Sequence, residues 1–111
     1  MPQSRKKVTI GEALRLTMQN PQLNLGVLYL PEQQWTLDTA GMFVDFDKDY
    51  DPNVDQTPEE VKINNWRETL DTDLIDQVIF NARAQRPTVT MEELVEAFSY
   101  YFDRDAFLRF E

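Results

Sequence analysis

The chain of 111 residues contains no cysteine and no histidine. Without cysteine there are neither disulfides nor thiolate metal ligands. That accords with the cytosol without defining it, since many exported proteins also lack cysteine. Without histidine, the usual general base and the commonest metal ligand are gone. Nucleophilic catalysis would fall to Ser4, Ser99 or a threonine, none with an evident base. The three glycines, at 11, 26 and 41, are too scattered for a phosphate-cradling loop. No stretch approaches the ~18 apolar residues that cross a bilayer. The basic N-terminus MPQSRKK is followed by no long apolar run, which argues against a secretory signal. A carboxylate pair is the remaining acid–base device, and nothing in the sequence brings two carboxylates into one cleft. These absences point to a cytoplasmic protein that is not an enzyme and carries no cofactor and no metal.

What is present is enough for one folded domain over residues 1–111. A chain of this size buries roughly two thirds of its unfolded surface. Hydrophobic residues make up 41% and aromatics 12%, which supports a core despite 28% charged residues. Net charge is −9 and uneven: Arg5, Lys6 and Lys7 put +3 on the first seven residues, leaving −12 on the other 104. Such a body repels nucleic acid and anionic membranes and attracts a basic protein partner. Acidity also keeps a small protein in solution.

Thr9 and Glu12 have capping-box spacing, and Ile10, Ala13, Leu14 and Met18 then recur on one face. This predicts a helix over residues 10–20, stopped by Pro21. Residues 23–31, 35–39 and 41–46 read as three strands, with turns at 32–34 and at Ala40-Gly41, together an antiparallel meander. Thr57-Pro58-Glu59-Glu60 opens a short helix carrying Val61, Ile63 and Trp66. Asp71 or Thr72 opens another, with Leu74, Ile75, Val78, Ile79 and Ala82 as its apolar stripe. Thr90 and Glu93 form a further capping box before Leu94, Val95, Ala97, Phe98, Tyr101 and Phe102. The expected class is α+β: a small antiparallel sheet of about three strands packed with three to four helices.

Residues 45–60 hold seven acids against the single cation Lys48. Asp45, Asp47, Asp49 and Asp51 alternate, so an extended chain puts them on one face. A calcium loop of the EF-hand type needs glycine at its sixth position and glutamate at its twelfth. Counting from Asp45 puts Tyr50 and Gln56 there; counting from Asp49 puts Val54 and Glu60 there. Neither register supplies the glycine, which argues against a dedicated EF-hand, although looser calcium binding stays open. The bland reading of the run is a solvated loop or a charged edge strand. The functional reading is a contact surface made of Asp45, Asp47, Asp49, Tyr50, Asp51, Asp55, Glu59 and Glu60. A tyrosine ringed by carboxylates suits an arginine-rich partner.

Three blocks carry a family resemblance: LYLPEQQWTLDT (28–39), TLDTDLIDQVIFNARAQ (69–85) and LVEAFSYYFDRDAFL (94–108). In order and spacing they resemble a small, acidic bacterial family found beside polymorphic-toxin genes, including contact-dependent growth-inhibition loci. The resemblance implies an immunity protein that binds and neutralises the C-terminal toxin domain of its own locus. That toxin is expected to be a basic nuclease, with tRNA as its expected target. The resemblance transfers no catalytic residues. The alternative is an acidic calcium-binding or structural domain without a toxin partner.

Overall fold

The computed structural model describes residues 3–20, 24–46 and 58–110. Along the chain come β1 (Gln3–Thr9), α1 (Ile10–Gln19), β2 (Val27–Leu30), β3 (Ala40–Phe46), α2 (Glu59–Ile63), β4 (Arg67–Asp71), α3 (Thr72–Gln85) and α4 (Met91–Arg104). The strands form one antiparallel sheet in the order β1-β3-β2-β4. This is the expected α+β class, with four strands instead of three.

Helices α1, α3 and α4 start where local chemistry dictates. At Thr9–Glu12 and at Thr90–Glu93 the threonine hydroxyl accepts from the third helical N–H, and the glutamate accepts from the threonine N–H. Asp71 caps α3 by accepting from Leu74 N at 2.9 Å. The short α2 ends in a Schellman arrangement: Trp66 N donates to Val61 O and Asn65 N to Lys62 O. Asn65 takes the left-handed conformation this requires, with φ 56°. Trp66 therefore lies just beyond the helix expected to carry it, packed beside Val61 on the sheet.

Residues 35–41 differ from the sequence expectation through local hydrogen bonding and close packing. Residues 35–39, expected as a strand, close a turn through their own polar groups. Thr39 N donates to Thr36 O at 3.1 Å, and Thr36 N donates to Thr39 Oγ1 at 2.9 Å. Ala40 and Gly41, expected as a tight turn, instead begin β3, where Gly41 pairs with Val8. A Cβ at Gly41 would lie 2.5 Å from Tyr29 O and from Leu30 Cδ2, so the close approach of β2 demands the missing side chain. The two unexpected strands, β1 and β4, are the edges of the sheet.

Core residues of α1, α3 and α4 cover one face of the sheet. Phe43, Leu28, Leu30 and Val8 meet Ile10, Leu14, Ile75, Val78, Leu94 and Phe98 there, all buried. Trp35 closes this core at one end, with its ring 5.5 Å from Phe98 in an edge-to-face contact and 5.5 Å from Phe102. On the opposite face Met42, Val44 and Val61 make a smaller cluster with Tyr29 and Trp66. Among the described residues no helix is long and apolar enough to cross a membrane.

The second capping box makes stability pH-dependent. The Thr90 N–H donating to Glu93, and next the Arg86 guanidinium facing it, hold the Glu93 carboxyl below its ordinary value of 4.5. A lowered carboxyl pKa contributes stability that is fully present above 4.5 and is lost as pH falls through the lowered value. Glu93→Gln keeps the cap geometry but removes the charge. Its denaturation midpoint is expected to fall less steeply than that of the wild type below pH 4.5. Parallel midpoint-versus-pH curves for the two proteins would refute the linkage.

Candidate functional site

The contact surface expected from the sequence is only partly within the described residues. Asp47, Asp49, Tyr50, Asp51 and Asp55 lie outside them. Asp45, Glu59 and Glu60 lie inside, and the fold does not gather them on one side. Asp45 follows Val44 in a strand of unbroken register, so it points to the sheet face opposite Val44. There it borders a cleft of about 230 Å³ with Asp71 and Asp73. Glu59 and Glu60 open α2, the helix whose Val61 packs on the Val44 face. Glu60 pairs with Lys7 at 3.1 Å, a solvent-exposed bridge of small energetic weight. The basic N-terminal strand thus meets part of the acidic stretch.

A second acidic surface escaped the sequence reading. Glu92, Glu96, Ser99 and Asp103 stand at i, i+4, i+7 and i+11 of α4, one face of a helix. This face lies away from Leu94 and Phe98, which turn inward, while the buried Val95 flanks it. It borders a groove of about 460 Å³, with Trp35 and Arg67 among its lining residues. A neighbouring recess of about 340 Å³ shares Trp35, Glu92 and Val95 and adds Asp38. The spacing of the acids was readable as a charged helix face. The groove was not, because Trp35 comes from the turn before β3 and Arg67 from β4.

Arg67 is the cation in this groove. Its guanidinium carbon lies 5.0 Å from the centre of the Phe102 ring and 6.0 Å from that of Trp35. Its acidic partner is Glu32, at 3.7 Å. Among the described residues no ion pair engages Glu92, Glu96 or Asp103. The groove therefore offers three uncommitted carboxylates and Asp38 nearby, against one cation already held by its rings and by Glu32. Such a lining suits a lysine or arginine side chain from a partner, whose stem can rest on the tryptophan. Among the described residues no group of three or more acids is placed to hold a metal ion.

A family model described as a domain of unknown function (DUF7716) matches residues 7–110. No curated protein and no solved structure matches the chain.

Proposed function

We propose that this chain, which belongs to the DUF7716 family across residues 7–110, is an immunity protein. In this reading it binds the C-terminal toxin domain of a contact-dependent growth-inhibition system and neutralises it without catalysis. The observation that carries the reading is the charge: −12 beyond residue 7, including the uncommitted carboxylates of α4. The three resembling sequence blocks supply the toxin context. A nuclease, here proposed to be tRNA-directed, needs a basic groove for its phosphate substrate, and a carboxylate-rich protein can fill that groove. Complementary charge also speeds capture, which matters when a single free toxin molecule does damage. The proposed contact centre is residues 45–60, with seven acids against Lys48. The proposed site of action is the cytoplasm.

The test begins with the toxin domain encoded next to this chain, co-expressed and co-purified with it. Asp47, Asp49 and Asp51 replaced together by asparagine should weaken binding about tenfold or more, which is about 1.4 kcal/mol. The salt dependence of association should flatten in the same variant. Unchanged affinity together with unchanged salt dependence would remove residues 45–60 from the interface. If no complex forms and calorimetry instead shows heat at micromolar calcium, the calcium-binding alternative replaces this reading.

A further inference from the structure

Helix α3 carries one large apolar side chain that its inward stripe leaves out. Ile75, Val78, Ile79 and Ala82 are buried, whereas Phe80 is 75% exposed. Beside this ring an open groove of about 450 Å³ runs between α1 and α3. Met18, Ile79 and Ala84 give it apolar walls, and Asp76 and Arg83 border it as well. Asp76, Ile79, Phe80 and Arg83 stand at n, n+3, n+4 and n+7, the four corners of a hole in knobs-into-holes packing. One small patch thus presents both a projecting ring and a recess that can take one. Self-complementarity of this kind is what a two-fold interface requires.

The charges select the orientation. Asp76 lies about one helical turn before Phe80 and Arg83 about one turn after it, and among the described residues no ion pair engages either. A two-fold axis beside Phe80 runs α3 antiparallel to its copy, which sets each Asp76 against the partner's Arg83. A parallel arrangement would set like charge against like. A strongly basic ligand finds little here, because the two charges cancel and the walls are apolar. A second copy of the same chain matches both features.

We infer that the chain self-associates through α3 as an antiparallel, isologous dimer, with each Phe80 seated in the α1–α3 groove of the other copy. This surface shares no residue with the acidic stretch 45–60 or with the α4 groove. One helix pair belongs at the small end of protein interfaces, below about 1,200 Å² in total. The dimer is therefore concentration-dependent, with a dissociation constant in the roughly micromolar range.

Sedimentation of the full chain from about 1 μM to about 1 mM tests this directly, because that span brackets the expected constant. The expected result is a shift from monomer to dimer. Phe80→Ser should abolish the shift while leaving the circular dichroism spectrum unchanged, since the ring contributes little to the fold. Asp76→Arg and Arg83→Asp should each weaken association at least about tenfold, through repulsion repeated on both sides of the axis. The two substitutions combined should restore it. A chain that stays monomeric throughout, a dimer indifferent to Phe80→Ser, or a charge swap that restores nothing would each overturn the inference.

Discussion

Replacing Phe98 by alanine is expected to remove about 3–5 kcal/mol of stability, the usual cost of deleting a buried aromatic ring. Phe98 has no solvent exposure and sits where α4 meets the sheet-facing core. Its ring supports the indole of Trp35 edge-on at 5.5 Å, so the cavity would open beneath the same residue that lines the acidic groove. Domains of this size have only about 5–15 kcal/mol in total. The variant should therefore unfold at much lower denaturant concentration. Phe98→Leu keeps most of the volume and should cost less than about 2 kcal/mol. Urea titrations followed by tryptophan fluorescence measure both. A loss below about 1 kcal/mol for alanine would mean that Phe98 does not occupy a close-packed site.

Gly26→Ala is expected to cost about 3 kcal/mol or more, through a different mechanism. Gly26 has φ 93°, a conformation that L side chains rarely adopt. A Cβ there would stand 2.2 Å from Val44 O and 2.7 Å from Asp45 Cα, both backbone atoms that cannot turn aside. The peptide cannot swing away either, because Gly26 O accepts from Thr72 N and from Thr72 Oγ1, each at 3.0 Å. Those bonds tie the entry of β2 to the start of α3, and Thr72 is buried. Relief would require β2 to separate from β3, or α3 to lose this anchor. Thermal denaturation of the alanine variant is the measurement. A shift of only a degree or two would show that the close approach to Val44 does not exist in solution.

The helices were legible because their information is local. Thr9–Glu12, Asp71 and Thr90–Glu93 satisfy helix N–H groups within one turn, and residues three and four apart declare the buried face. Phe80 already stood off the stripe formed by Ile75, Val78, Ile79 and Ala82, so its exposure follows from periodicity alone. The strands were less legible. An edge strand has one neighbour and need bury little, so β1 tolerates three consecutive cations and β4 reads as RETLD with Leu70 alone buried. Their pairing with β3 and β2 is long-range and leaves no local periodic mark.

The acidic surface divides along the same line. That residues 45–60 and α4 are rich in carboxylates is a property of the chain itself, as is the absence of histidine and cysteine chemistry. Where those carboxylates face depends on tertiary structure. β3 sends Asp45 to one side of the sheet, α2 carries Glu60 to Lys7 on the other, and Trp35 with Arg67 turns a charged helix face into a groove. Sequence by itself determined the α+β class, the starts of α1, α3 and α4 and the sign of the charge, because caps, periodicity and composition act within a few residues. Only the tertiary structure decided the strand order and which charges share a surface, because both depend on contacts between segments far apart in the chain.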